Sequence, residues 1–285
     1  MKKLLILSGK GGTGKTTTAA AFIDFSQADA FADCDVDAPN LHLITTIKTN
    51  PEKSNYFGSQ KAFIDTSKCT DCGLCQKYCR FDAIQQVDTH YTINTYACEG
   101  CGVCLYTCNE TAVSMTDDIA GELSLYRDES VFSTAQLTMG RGNSGKLVTE
   151  VKTLLTKSAP EAKLAIIDGS PGIGCPVIAS ISGVDLVLIV AEPSLSGISD
   201  MKRILKTAEI FQTKTAVCVN KYDTCIENTN TIETFCIENG IPFVGRIPYD
   251  RQASAAINAG HSLSSTNCPA SKALYGVYQN TVILI

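Results

Sequence analysis

Eight cysteines occur as two copies of one spacing. Cys69, Cys72, Cys75 and Cys79 run C-x2-C-x2-C-x3-C, and Cys98, Cys101, Cys104 and Cys108 repeat the run 29 residues later. Gly73 and Gly102 follow the second cysteine of each run. Each block closes on an alanine–aliphatic pair, Ala83-Ile84 and Ala112-Val113. Thiolates are soft, anionic donors. A segment this dense in them is organised around what the thiols hold as much as around apolar side chains.

Three chemistries use cysteine at such density. A disulfide scaffold needs an oxidising compartment. Met1 to Leu7 is a short apolar run entering a glycine loop, without the length or cleavage site of a signal peptide. It reads as a buried first strand, and the chain is expected to be cytoplasmic. Zinc sites pair C-x2-C motifs, but as two separated pairs. The 2-2-3 run used twice is the bacterial two-cluster ferredoxin pattern, in which the fourth cysteine of each run ligates the other cluster. That reading predicts two [4Fe–4S] clusters, one on Cys69, Cys72, Cys75 and Cys108, the other on Cys98, Cys101, Cys104 and Cys79; zinc remains the alternative. The proline that usually follows the fourth cysteine is replaced by Arg80 and Asn109.

The rest of the chain alternates strand and helix signals. Lys2 to Leu7, Ala30 to Val36, Leu164 to Ile167, Leu186 to Val190, Ala216 to Val219 and Phe243 to Ile247 are short apolar runs of the kind buried in parallel sheets. Gly14 to Ser26, Ser196 to Phe211 and Thr224 to Asn239 read as helices between them. Ala62 to Ile64 and Tyr91 to Ile93 are β-like runs ahead of the cysteine blocks. Asn50 to Gly58 is polar and reads as a turn-rich exit. With Gly9 to Thr16 forming a G-x4-G-K-[ST] phosphate loop between the first strand and the first helix, the fold class expected is α/β, a P-loop NTPase with a mostly parallel sheet carrying a small α+β ferredoxin-like insertion. Residues 60–117 form the insertion, and 1–59 with 118–285 the nucleotide-binding domain.

Gly9-Lys10-Gly11-Gly12-Thr13-Gly14-Lys15-Thr16 satisfies G-x4-G-K-[ST] between a strand and a helix. Its backbone N–H groups and the helix N-terminus suit phosphate. Lys15 is expected to neutralise the β- and γ-phosphates and Thr16 to bind Mg²⁺, with Thr17 beside them. A net charge of −5 gives no nucleic-acid footprint. No apolar run approaches membrane-spanning length, and Ala270 to Ile285 reads as a core-packing terminal helix.

Lys10 makes the loop K-G-G-T-G-K-T-T, which resembles the deviant P-loop of MinD/ParA-type ATPases and the nitrogenase iron protein. In that family the extra lysine reaches across a dimer interface to the partner's nucleotide. The resemblance implies Mg-ATP as cofactor, slow and partner-stimulated hydrolysis, and a dimer with itself or a paralogous chain. Asp33-Cys34-Asp35 resembles switch I, whose second aspartate, here Asp35, orients the attacking water. Asp33 and Asp37 also admit the plainer reading of solvated strand-end acids. Asp168-Gly169-Ser170-Pro171-Gly172 resembles switch II, with Asp168 beyond the metal's direct ligands. Asn220-Lys221 and Pro248-Tyr249-Asp250 resemble the adenine-reading positions. With its cysteine blocks the chain resembles the MinD-like ATPases that carry an inserted ferredoxin domain. In the segment Thr138 to Val148, Arg141 and Lys146 read as surface bases.

Six cysteines stand outside the blocks. Cys34, Cys218, Cys225, Cys236 and Cys268 fit small buried apolar residues. Cys175 follows Asp168 by seven residues, an offset similar to that of the cluster-ligating cysteine of the nitrogenase iron protein. That resemblance implies a third cluster at a dimer interface, although the second ligand has no counterpart here. His42, His90 and His261 suggest no catalytic triad. Three functions compete: an ATPase for metallocluster assembly or delivery, akin to Mrp-type carriers and serving an acceptor protein; an ATP-gated electron donor to a redox partner; and a positioning ATPase with structural clusters. The third is disfavoured for want of a basic amphipathic terminus, and no nucleic-acid or membrane partner is expected.

Overall fold

The computed structural model describes residues 1–285, and the chain divides into two compact units. The first comprises 1–53, 123–136 and 144–285; the second comprises 54–122 and 137–143. The edges of the second unit lie outside the 60–117 span because strands flank the cysteine blocks on both sides.

The elements in chain order are β1 (Lys2–Leu7), α1 (Lys15–Ser26), β2 (Ala30–Asp33), β3 (Glu52–Phe57), β4 (Lys61–Ile64), α2 (Leu74–Tyr78), β5 (Ile84–Val87), β6 (His90–Ile93), α3 (Val103–Thr107) and β7 (Val113–Thr116). They continue with β8 (Ile119–Arg127), β9 (Val131–Leu137), α4 (Ser144–Ser158), β10 (Leu164–Asp168), α5 (Cys175–Ile181), β11 (Leu186–Ala191), α6 (Leu195–Ile210), β12 (Lys214–Asn220), α7 (Ile226–Glu238), β13 (Phe243–Ile247), α8 (Arg251–Asn258) and α9 (Pro269–Val282). The main sheet has the order β13-β12-β11-β1-β10-β2-β9-β8-β3. From β13 to β9 every neighbouring pair is parallel. β1, β10 and β11 are apolar along nearly their whole length because helices cover both faces.

The core of the first unit joins these strands to α1 and α9. α1 is buried from Thr18 to Ile23, so it carries small and apolar residues round its circumference. α9 buries a stripe of Ala270, Leu274, Val277 and Thr281 and sets Tyr278 edge-on to Phe22 at 5.2 Å. No helix is long and apolar enough to cross a membrane.

In the second unit each element of the later cysteine block begins 29 residues after its counterpart in the earlier one. β4 pairs antiparallel with β7, and β5 with β6. The first strand of each block therefore pairs with the last strand of the other, which interlocks the two halves. Gly73 and Gly102 stand just ahead of α2 and α3 at φ +74° and +75°. A side chain there would be strained, and at Gly73 its Cβ would come within 2.7 Å of the Tyr91 hydroxyl.

The polar Asn50–Gly58 stretch is not a turn but contains β3. Only Tyr56 is buried along that strand, so an edge strand with one apolar anchor carries no alternating signal. Arg141 also departs from expectation. It is 12% exposed and pairs with Asp118 at 2.9 Å, donates to the Thr95 carbonyl and stacks over Tyr96. It ties residues 137–143 to the later cysteine block. Lys146 is exposed as expected, near Glu150.

Phe132 on β9 stacks between Phe31 at 4.8 Å and Tyr126 at 5.3 Å and is almost wholly buried. Phe132→Ala is expected to lower unfolding stability by about 3–5 kcal/mol, read from the urea midpoint at constant m-value.

Candidate functional site

The site forms where β1, β2 and β10 end and α1 begins. The chain leaves β1 at Leu7, loops through Gly9–Gly14 and enters α1 at Lys15. Gly14, at φ +95°, faces Asn220, whose amide lies 2.3 Å from where a Cβ would stand. That amide donates to the Thr13 carbonyl at 2.7 Å and so braces the loop from the end of β12. Gly9 is pressed against Asp200 of α6 just as tightly.

Lys15 turns inward. Its ammonium donates to Asp168 Oδ1 at 2.7 Å, with side-chain exposures of 6% and 0%. Burial works against the lysine's charge, but Asp168, Asp33 and Asp35 together hold its pKa above the usual value. Asp168 Oδ2 is buried without a hydrogen-bond partner, an acceptor left for whatever enters beside Lys15. Lys15 also reaches the Thr16 hydroxyl at 3.3 Å.

Asp33 is not a solvated strand-end acid. It is fully buried and accepts the backbone N–H groups of Asp35, Asn40 and Leu41, each at 2.9 Å. It therefore staples the loop 34–41 against β2. Burial, with Asp168 close by, pushes its carboxyl up to about 7, against the pull of those N–H groups and Lys15. Asp35 is half-buried, and burial raises it too. Asp37 is exposed. Between them Cys34 is fully buried and its thiol is pushed far up by burial, so it is an inert packing residue. The segment after β10 is tied to the same place. Gly172 N–H donates to the Ser8 carbonyl at 3.0 Å, and the Ser170 hydroxyl donates to the Cys34 carbonyl at 2.6 Å.

Lys10 leaves the loop on its outer side. Its ammonium meets Glu192 at 2.8 Å and the hydroxyls of Ser194 and Ser196, each at 3.3 Å. Glu192 also stands 3.8 Å from Lys221, which donates to the Gly12 carbonyl at 3.1 Å. Sequence reasoning did not single out Glu192; an acid placed just after the apolar strand β11, ahead of Pro193, was the available signal.

Two cavities adjoin here. One, of about 380 Å³, is lined by Lys10, Gly11, Lys15, Thr16, Asp35 and Pro171 among others. The second, of about 230 Å³, is bounded by Asn220, Lys221, Pro248, Tyr249 and Asp250. They share Gly12, Gly14, Thr17 and Ile257. The residues expected to read adenine are thus brought together, but Asp250 is committed to the protein. It caps α8 through Gln252 N–H at 2.8 Å and accepts from Ala270 N–H at 3.3 Å.

The second unit holds two smaller cavities. One is lined by Cys69, Cys72, Cys75 and Cys108, the other by Cys79, Cys98, Cys101 and Cys104. Each takes three thiols from one block and the last thiol of the other, because β4 pairs with β7 and β5 with β6. No three Cys, His, Asp or Glu side chains close on a single-ion point; the thiols stand around cavities instead. Four soft donors facing one apolar cavity suit an iron–sulfur cube, in which each thiolate binds a different iron.

Cys175 is exposed at the start of α5, and Gly145 packs against it. Cys218, Cys236 and Cys268 are buried and Cys225 is half-buried. Burial pushes the Cys218 thiol up to about 12 and the Cys236 thiol up to about 11. His90 meets Asp71, and no histidine stands at the nucleotide cavities.

Removing the Lys15 ammonium leaves Asp168 buried and unpaired. Lys15→Met is expected to lose about 3–5 kcal/mol of stability at neutral pH. Chemical denaturation checks this; a deficit under about 1 kcal/mol would contradict it.

The chain matches the CobQ/CobB/MinD/ParA nucleotide binding domain over residues 4–263. An uncharacterised Methanocaldococcus jannaschii protein, MJ0578, is 34% identical over 252 residues, covering 86% of each chain. Among solved structures, the Pyrococcus furiosus cell division ATPase MinD superposes with a TM-score of 0.59 at 15% identity, covering 100% of this chain and 99% of that one. The Pyrococcus horikoshii septum site-determining protein MinD, complexed with Mg-ADP, gives 0.57 at 14% identity, with 98% and 95% covered. With its phosphate loop, the two aspartate segments and this match across most of its length, the chain belongs to the CobQ/CobB/MinD/ParA nucleotide-binding family.

Proposed function

We propose that this protein is an ATP-hydrolysing iron–sulfur protein, a nucleotide-switched dimer that acts in metallocluster assembly or delivery. The observation that carries the iron–sulfur part is the division of eight thiols between two cavities, three from one block and one from the other in each. That division suits an inserted two-cluster ferredoxin domain over 60–117. Two [4Fe–4S] clusters there would supply one-electron redox chemistry. The nucleotide part rests on family membership and on the cavity that gathers Lys10, Lys15, Thr16 and Asp35. The setting proposed is the cytoplasm, with a metallocluster acceptor as partner.

In this reading the loop N–H groups and Lys15 hold the phosphates of Mg-ATP, and Thr16 contributes its hydroxyl to the metal. The Lys15–Asp168 pair opens as the phosphates arrive, which frees Asp168 to face the metal's water shell. Asp35 orients the attacking water. Lys10 exchanges Glu192 for the nucleotide of a second subunit, either another copy or a paralogous chain. Its contacts with Glu192, Ser194 and Ser196 occupy the lysine within its own subunit, so slow turnover by a single chain is expected.

An exposed Cys175 favours a second reading, an ATP-gated electron donor resembling the nitrogenase iron protein, with a third cluster held between subunits. Cluster transfer to an acceptor supports the first reading, and partner reduction with all iron retained supports the second.

Mg-ATP is expected to shift the protein from monomer to dimer in light scattering. Lys10→Ala should bind ATP yet stay monomeric and lose hydrolysis. Asp35→Asn should remain dimeric with ATP and release phosphate at least about a hundredfold more slowly. A Lys10→Ala monomer that hydrolyses ATP at the wild-type rate contradicts the proposal.

A further inference from the structure

Lys152 lies on the inner side of α4, its side chain about nine-tenths buried. It forms no ion pair. Its ammonium instead donates to three backbone carbonyls at the end of α5: Ala179 at 2.9 Å, Ser180 at 2.7 Å and Ser182 at 2.5 Å. An ammonium has three N–H donors, and each has one acceptor here. The acceptors belong to the last turn of a helix, where carbonyls lack intrahelical partners and a positive charge is favoured.

The other end of α5 leads back to the nucleotide cavities. Gly174 precedes the helix, Gly172 is bonded to Ser8, and Ser170 is bonded to the Cys34 carbonyl. α4 holds this end too, because a Cβ on Gly145 would come within 3.2–3.3 Å of Cys175. α4 is therefore a rail that grips α5 at both ends.

We propose that Lys152 is a positioning residue for the nucleotide site. Its ammonium anchors the last turn of α5, so that the segment Gly169–Gly174 moves about a fixed end when nucleotide enters or leaves. The inference rests on the reading of Asp168–Gly172 as a nucleotide-responsive segment.

Protonation separates this role from simple packing. Burial lowers Lys152 to about 8; the titratable groups that face it are Cys34, which would oppose the shift only as a thiolate, and Lys3, which adds to it. Cys34 stays a neutral thiol, since its own pKa is pushed far up. Lys152 is therefore the group of this set that changes charge just above neutrality. A neutral amine has two N–H donors for three carbonyls, so the anchor weakens as pH rises through that value. Fold stability moves the other way. The folded-state pKa lies below the unfolded one, the unfolded chain binds more protons in between, and stability rises with pH across the window.

The test measures phosphate release from wild type, Lys152→Arg and Lys152→Met between about pH 7 and about pH 9.5. Hydrogen–deuterium exchange of α5 is followed in the same nucleotide-free proteins. Wild-type turnover should fall through about pH 8, while Lys152→Arg, which stays charged, holds level. Lys152→Met, which removes all three bonds, should be flat with pH and at least about tenfold slower, since one charge-assisted hydrogen bond alone is on that scale. The protection of α5, with the intrinsic exchange rate at each pH divided out, should fall in Lys152→Met, fall in wild type above about pH 8, and stay high in Lys152→Arg. Identical pH profiles in wild type and Lys152→Arg, or α5 protection that ignores both pH and Lys152→Met, would overturn the proposal. If wild type releases no phosphate, the functional reading has failed and the exchange alone decides the role of Lys152. Should Lys152→Met not fold, wild type and Lys152→Arg carry the comparison.

Discussion

The buried Lys15–Asp168 ion pair is the contact on which the nucleotide site depends. A buried charge at the end of β10 and another at the start of α1 would cost several kcal/mol each without mutual compensation. The 2.7 Å contact compensates both; Asp33, at the end of β2, and Asp35, on the loop after it, further favour the charge on Lys15. Asp33 is held in turn by three backbone N–H groups, so the loop that carries Asp35 is stapled to the same charge cluster. One unpaired oxygen remains, on Asp168.

A second constraint governs the cysteine unit. Its pairing of each block's first strand with the other block's last brings Cys108 to the earlier thiols and Cys79 to the later ones. Neither block can enclose its cavity alone. The apolar cluster around the thiols includes Ile64, Ile84, Tyr91 and Val113 from both blocks, so the folding of this unit and the gathering of its thiols are one problem.

Much of this was legible in the residues, and the exceptions share a cause. The phosphate loop, the buried strands and the 29-residue repeat are local patterns, and the local structure follows them. β3 was hidden because it buries one side chain. β8 and β9 gave no distinct signal in a stretch rich in polar residues. Arg141, Asp33 and Lys152 are charged residues that composition assigns to the surface. Arg141 and Lys152 are buried through partners far along the chain, Asp118 and the carbonyls ending α5, and Asp33 through three backbone N–H groups of the loop that follows it. Glu192 is of the same kind, since its value lies in facing Lys10 and Lys221 from the end of another strand. Long-range pairing of charges is what a single sequence conceals most thoroughly.

The division of thiols between the two cavities can be tested by counting iron in paired variants. In anaerobically reconstituted protein, wild type should hold about eight irons and eight sulfides per chain. Cys79→Ala combined with Cys101→Ala removes two ligands from the same cavity and should leave about four irons. Cys79→Ala combined with Cys72→Ala removes one ligand from each and should leave close to none. The reverse outcome would mean that each block ligates its own cluster, and zinc in place of iron would remove the iron–sulfur reading altogether.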